Sequence, residues 1–263
     1  TYAYPVFGEL LISELDTDLI LKAIEPIWIQ KAETASRVRQ RIETVWDWSK
    51  ARKYVEGDNP ARMRGHLDKI LAKTAKVKRV KHHGAVPYKQ INAFIKKLLI
   101  FKGNSTLALE FMILTAGRTG EVRGAKWQEI DLSTKVWTIP AQRMKAAKEH
   151  RVPLSNRALA ILLLIKSNRE PDEFIFQRSK IGSGLSDGAM LSLMKKINFG
   201  PYTPHGFRSS FRDWAADKAY TFQNETIELA LAHSIKNKTE AAYRRGDQLE
   251  RRRLLMDDWA KYI

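Results

Sequence analysis

The sequence predicts a mainly α-helical protein with one small antiparallel β-sheet, an α+β chain in two domains, and three observations predict it. Apolar residues recur at helical spacing through most of the 263 residues. Short β-branched runs are confined to Glu129–Leu154. A basic stretch without an apolar period, residues 73–87, separates two segments that each hold enough apolar side chains for a core.

In the first segment Leu10, Leu11, Leu15 and Leu19 lead into Ile24, Ile27 and Trp28. Val38, Ile42, Val45, Trp46 and Trp48 then recur at roughly helical spacing within a basic stretch. Gly57-Asp58-Asn59-Pro60 is expected to end that helix, because the residue before Pro avoids helical dihedrals. A short helix is expected around Arg62–Leu71. Residues 73–87 then read as a solvated interdomain linker. Its His82-His83 pair reads as solvated or phosphate-contacting rather than metal-ligating, since no carboxylate or third His lies close in sequence. Beyond Pro87, Ile91, Phe94, Ile95 and Leu98 form one helix face, and Thr106–Ala116 is apolar nearly all round, as a buried helix would be. Ile130–Leu132, Val136–Ile139 and Arg151–Leu154 read as strands, the last two joined by a charged turn. Helices are expected over Asn156–Lys166, Asp187–Lys195, Pro204–Lys218, Thr226–His233, Thr239–Gly246 and Gln248–Ile263.

Composition excludes several classes. Without cysteine there is no disulfide framework, thiolate zinc site, iron–sulfur cluster or cysteine nucleophile. The longest apolar run, Ala158–Ile165, is about half of what a bilayer crossing requires. The 46 Lys and Arg against 29 Asp and Glu give a formal charge of +17, which points to a polyanion such as nucleic acid. Both segments are basic: residues 1–86 hold 16 basic and 11 acidic residues, and residues 87–263 hold 30 and 18. The start, Thr1-Tyr2-Ala3, suggests a piece excised from a longer polypeptide.

Thr203-Pro204-His205-Gly206-Phe207-Arg208 opens a helix with a capping Thr and a Pro in the first turn. At the helical angle, His205, Arg208 and Arg212 fall within about 60° of one another, opposite Phe207, Phe211 and Trp214. Each Arg alone reads as a solvated basic face; together with His205 they suit a phosphate. Arg118 stands in a glycine-flanked turn, Gly117 to Gly120, with Glu121 close enough to orient it. His233 ends an apolar helix, and Tyr243 follows ten residues later between Ala and Arg, where alone it would be read as a packing residue.

Taken in order, Arg118-x-x-Glu121, Lys145, His205-x-x-Arg208, Leu231-x-His233 and Tyr243 resemble the signature boxes of the tyrosine recombinase, or phage integrase, family. The resemblance covers nearly the whole chain. His82 to Tyr88, Ile139-Pro140 with Met144-Lys145, Val152 to Ser155, and Arg251 to Trp259 look like the branch encoded by prophages and genomic islands. It implies a helical core-binding domain over residues 1–82, the linker over 73–87, and a catalytic domain with a C-terminal helix over 87–263. It also implies a bacterial, cytoplasmic protein that acts at the nucleoid, from which an N-terminal arm-binding domain is missing.

The implied reaction transfers a DNA phosphodiester to the Tyr243 hydroxyl, giving a 3′-phosphotyrosyl link and a free 5′-hydroxyl, for integration or excision of a mobile element. A phenol with a pKa near about 10 must be deprotonated as it attacks. Arg118 and Arg208 would neutralise the phosphate, because guanidinium forks match its oxygens and stay charged. His205 would assist proton removal or hydrogen-bond the phosphate, and His233 would donate to a non-bridging oxygen. Lys145 would protonate the leaving 5′-oxygen, with Lys148 as its rival. Neither cofactor nor metal is implied. The implied partners are double-stranded DNA with attachment core sites, other protomers in a tetramer, and accessory bending or excision proteins, but no membrane. Arg37, Arg39, Arg41, Lys81 and Arg212 are candidate DNA contacts, and for the first three a solvated face is the rival reading. Docking of the C-terminal helix in cis or on a neighbouring protomer is open. The alternatives are a type IB topoisomerase, a catalytically silent DNA-binding protein of the same fold, and a basic RNA-associated module, which leaves the ordered Arg, His and Tyr set unexplained.

Overall fold

A computed structural model of the chain describes residues 1–72, 84–166, 170–178, 182–233 and 246–263. They form two units, Thr1–His82 and His83–Ile263, each around its own apolar core.

The first unit contains α1 (Tyr4–Phe7), α2 (Thr17–Trp28) and α3 (Ala32–Ala51). Asp16 caps α2, its carboxylate accepting from the Leu19 amide at 2.8 Å. Ile20, Ile24 and Ile27 of α2 pack with Ala35 and Ile42 of α3 and with Leu67 and Leu71 from the chain that follows. Two expectations fail here. The α3 helix ends at Ala51 rather than near Gly57, because the chain turns out through Lys53 at a left-handed φ of 62°. The helix expected over 62–71 is reduced to turns and one 3₁₀ turn, Leu67–Lys69, since Gly65 adopts a φ of 76° that no helix tolerates.

The second unit begins with α4 (Ile91–Leu98), α5 (Asn104–Thr115) and the short α6 (Thr119–Arg123). β1 (Ile130–Asp131), β2 (Val136–Ile139) and β3 (His150–Pro153) form the sheet. It is antiparallel in the order β1-β2-β3, with Ile130 opposite Trp137 and Ile139 opposite His150. Then come α7 (Asn156–Ile165), α8 (Ala189–Ile197), α9 (Gly206–Lys218), α10 (Asn224–Ala230) and α11 (Leu249–Tyr262). The class is the mainly helical one with a small antiparallel sheet that the sequence predicts. Among the described residues no helix is long and apolar enough to cross a membrane.

The centre of this unit is α5, which is buried on every side and packs against α4, α7, α8 and α11. The α11 helix lies on its own unit: Trp259 is fully buried and its indole N–H donates to the Ile113 carbonyl at 2.8 Å. Residues 84–87 correct the linker reading. Val86 is buried and its carbonyl accepts from the Ser210 hydroxyl, while the Gly84 carbonyl accepts from the Thr203 amide at 3.0 Å. Gly84 also crosses the start of α9 so closely that a Cβ on Gly206 would lie 2.3 Å from the Gly84 oxygen. The glycine inside His205-x-x-Arg208 is therefore a steric requirement of this crossing.

Candidate active site

Three separate segments deliver basic side chains to one point. The α5 helix closes on Ala116 at a left-handed φ of 49°, and this turn sets Arg118 as the residue capping α6. Glu121 holds it there, its carboxylate accepting from the Arg118 backbone amide at 2.8 Å and from Nη1 at 2.7 Å. The other guanidinium nitrogen, Nη2, faces the carbonyls of Ala232 at 3.2 Å and Leu231 at 3.4 Å. Arg208 leaves the first turn of α9, is 6% exposed, and donates to the carbonyls of Ala116 and Leu231. Its Nη2 is 3.3 Å from Nε2 of His233. That histidine follows α10 through Ala232, again at a left-handed φ of 49°. The Leu231 carbonyl is thus a shared acceptor that draws Arg118 and Arg208 together beside His233.

Burial and the neighbouring Arg118 push the Arg208 guanidinium down to about 10, partly offset by Glu121 and Glu228, so it remains charged at neutral pH. Two guanidinium groups held this close in a part-buried site favour an anion between them. His150, at the start of β3, is pushed down to about 4, chiefly by burial and then by the charge of Arg252, with Arg118 and Arg208 contributing and Glu121 opposing. It is neutral at physiological pH. Burial works against ionisation of Glu228, but hydrogen bonds from His233 and Arg212 outweigh it and hold the carboxyl below its ordinary value.

The other residues singled out by the sequence are placed as follows. His205 is exposed at the start of α9, where the Thr203 hydroxyl accepts from the Gly206 amide at 3.2 Å. Lys145 and Lys148 are both exposed in the connection between β2 and β3. Arg212 does not join Arg208 in one open cationic face: its Nε donates to Glu228 at 2.8 Å and its Nη2 to Asn224. Arg39 is corrected outright. It is 6% exposed, donates to the Ala61 carbonyl at 2.6 Å and pairs with Glu43 at 2.8 Å, so it braces the first unit rather than facing DNA. Positions two apart lie on opposite sides of a helix, which is why Arg37 and Arg41 are exposed while Arg39 is not. Arg37 and Arg41 share their face with the exposed Trp48 and with Arg52, whose guanidinium lies 5.1 Å over the Trp48 ring. Tyr243, Lys81, His82 and His83 lie outside the described residues, as does most of the helix expected over 239–246. Among the described residues no cluster of His, Asp and Glu has the grouping of a metal site.

Several polar residues around the site had no local sequence signal. Glu129 is buried, accepts from the Trp137 indole at 2.9 Å and binds Arg143, whose other arm donates to the Glu121 carbonyl. This chain braces the base of the lysine-bearing connection against α6. Arg252 of α11, 1% exposed, donates to the Asp247 carboxylate at 2.8 Å and to the Arg151 carbonyl, and Arg151 pairs with Asp247 through two bonds of 2.9 and 2.7 Å. Charged residues within apolar helices, such as Glu228 in Ile227–Leu231, are the only hint the sequence offers of such partners.

The comparisons with known proteins join this geometry to a family. A model described as the phage integrase family matches residues 86–250, more than half of the chain, and one described as the phage integrase central domain matches residues 1–66. The chain belongs to the phage integrase family. Among its relatives, the integrase of Enterobacteria phage P4 is 28% identical over 282 residues, covering all of this chain and 62% of the relative. The prophage integrase IntA of Escherichia coli K12 is 31% identical over 265 residues, covering 99% of this chain and likewise 62% of the relative. The chain therefore spans less than two thirds of the length of these two integrases. The fold also matches the crystal structure of a lambda integrase dimer bound to a COC′ core site, with a TM-score of 0.62 at 17% identity over 93% of this chain and 84% of that one.

Proposed function

We propose that the chain is the core-binding and catalytic part of a site-specific DNA recombinase that breaks and rejoins strands through a 3′-phosphotyrosyl intermediate, for integration or excision of a mobile element. The observation that carries this reading is the gathering of Arg118, Arg208 and His233, from three distant segments, around the Leu231 carbonyl. Such a set is built for one dense anionic group, and a phosphodiester is the anion that a chain of charge +17 meets on duplex DNA. Support also comes from relatives that are named integrases, and from a lambda integrase tetramer solved on a Holliday junction.

In this reading Arg118 and Arg208 hold the two non-bridging oxygens and neutralise the charge that grows on them in the transition state. Glu121 keeps the Arg118 fork aimed. The Tyr243 oxygen forms a bond to phosphorus as the bond to the 5′-oxygen breaks. The phenolic proton passes to His205, and a proton from Lys145, with Lys148 as the alternative, goes to the leaving oxygen. Religation by another strand's 5′-hydroxyl runs the same steps backwards, so the ester bond is conserved and no ATP is consumed. The N-terminal unit would grip the core site through Arg37 and Arg41, and Lys81 and the remaining linker would follow the backbone between the units. Four protomers on paired sites, with accessory bending proteins, would complete the exchange.

The test is covalent trapping. The chain and its Tyr243→Phe variant are incubated with nicked suicide duplexes of candidate attachment sites in EDTA, and the products are resolved on denaturing gels. An EDTA-resistant adduct from the wild type alone is expected. Tight binding to a verified site without any adduct would sink the catalytic assignment, and relaxation without strand exchange would turn it towards a topoisomerase.

A further inference from the structure

Outside the residues to which the sequence assigns chemistry, one carboxylate touches two basic side chains at once. Oε2 of Glu228 is 2.6 Å from Nδ1 of His233, and its Oε1 accepts from Nε of Arg212 at 2.8 Å. Arg212 is fixed in turn by Asn224. On its far side the His233 ring presents Nε2 to Arg208 at 3.3 Å. The backbone reinforces the arrangement, since the His233 amide donates to the Glu228 carbonyl at 3.0 Å.

An ionised carboxylate only accepts hydrogen bonds, so the proton between Glu228 and His233 resides on Nδ1. That leaves Nε2 as the atom facing Arg208 and any anion bound there. Arg208 has only donors to offer, so with the proton on Nδ1 the Nε2 lone pair accepts from its Nη2–H. We propose that Glu228 is a positioning residue of the phosphate site: shared between His233 and Arg212, it holds the imidazole with its proton on Nδ1, so that Nε2 meets the Arg208 fork where a non-bridging oxygen would bind. The charged groups around the ring are Glu228 from α10, Arg208 and Arg212 from α9, and Arg118 with Glu121 from the α5–α6 turn. Of these, Glu228 alone contacts Nδ1 among the described residues. This role rests on the recombinase reading given above.

The experiment measures the rate of Tyr243-dependent adduct formation on suicide duplexes for the wild type, Glu228→Gln, Glu228→Asp, His233→Ala and the Glu228→Gln, His233→Ala double variant. Glu228→Gln keeps an acceptor but not the charge, so a loss of about 10- to 100-fold is expected, on the scale seen when the outer partner of a working histidine is removed. Glu228→Asp should recover part of the rate. In the His233→Ala background Glu228→Gln should cost nothing further, which a merely structural residue would not obey. Should Glu228→Gln fail to fold, as judged by its melting temperature, Glu228→Asp in both His233 backgrounds carries the same cycle. A wild type that forms no adduct overturns the recombinase reading and this role with it. A wild-type adduct with a Glu228→Gln rate that is normal, or reduced additively with His233→Ala, overturns the role of Glu228 alone.

Discussion

Arg208 stays charged although nearly buried, Glu121 and Glu228 partly offsetting the burial, and two carbonyls satisfy its fork, which decides what a substitution there does. A lysine has one ammonium on a flexible stem and cannot reach both the Ala116 and Leu231 carbonyls while also facing a phosphate. Arg208→Lys is therefore expected to fold and bind DNA but to lose about a hundredfold or more in adduct formation, the usual scale for a preorganised donor. Retention of more than a tenth of the rate would show that Arg208 is structural. His150 gives a stability prediction with a defined sign. Its folded value of about 4 lies below the ordinary value near 6.5, so the unfolded chain binds the proton first. No stability is lost above about pH 6.5; it falls progressively as the pH drops from there towards about 4 and then levels off. His150→Gln should flatten that part of the pH profile, by an amount on the order of 2 kcal/mol, in denaturant titrations across the window. Glu228 and Asp247, whose carboxyls are held low, act in the opposite sense and lose their contributions only at more acidic pH.

At the scale of elements, α11 is tied to β3 by the Asp247, Arg151 and Arg252 cluster and to α5 by Trp259, so in this structure its docking is to its own unit. Asp247→Ala would leave the Arg252 guanidinium, 1% exposed, without its anionic partner. Because the Asp247 side chain is 37% exposed and solvent screens part of the loss, breaking the pair is expected to cost about 1 to 2 kcal/mol, read as a lower denaturant midpoint at unchanged slope. A change below about 0.5 kcal/mol would mean that the backbone carbonyls of Arg151 and Asp247, both of which accept from Arg252, suffice. Asp247 follows Tyr243 by four residues, so the same clamp anchors the downstream end of the segment that carries the proposed nucleophile. How legible each element was follows from what determines it. The helices α4, α7 and α9 are set by apolar periodicity, α5 by an apolar run longer than a strand, and the strands by β-branched runs, which are local signals. The end of α3 and the chain over 62–71 are decided by the dihedrals of Lys53 and Gly65, which periodicity does not encode. Within the site, Arg118, Arg208 and His233 could be named from residue type and order. Glu228 and His150 could not, because their neighbours are created by the turn at Ala232 and by the β2–β3 register. Arg39 misled because a basic run on a helix reads as one surface although its positions alternate between sides.

Over the whole molecule the charge is divided between two separately cored units, +5 in residues 1–86 and +12 in residues 87–263. Such cores predict independent folding, so residues 84–263 alone should unfold cooperatively, since the chain from Gly84 to Pro87 is already packed into that unit. The isolated unit would keep every group around the Leu231 carbonyl and lose the exposed Arg37 and Arg41 face. Among the described residues Arg37 pairs with Glu33, in a pair whose side chains are 69% and 79% exposed, and such a pair yields readily to a phosphate. Each phosphate contact contributes about 0.9 to the slope of log affinity against log salt concentration. Removing residues 1–83 should therefore flatten that slope by roughly 2 or more and weaken binding most at low salt, while adduct formation on Tyr243 persists once the DNA concentration is raised to compensate. Measured by fluorescence anisotropy over a salt series, equal slopes for the whole chain and the fragment would assign the DNA grip to residues 84–263 alone. A fragment that binds with the shallower slope but never forms the adduct, even at saturating DNA, would mean instead that the N-terminal unit takes part in assembling the active site and does more than hold the duplex.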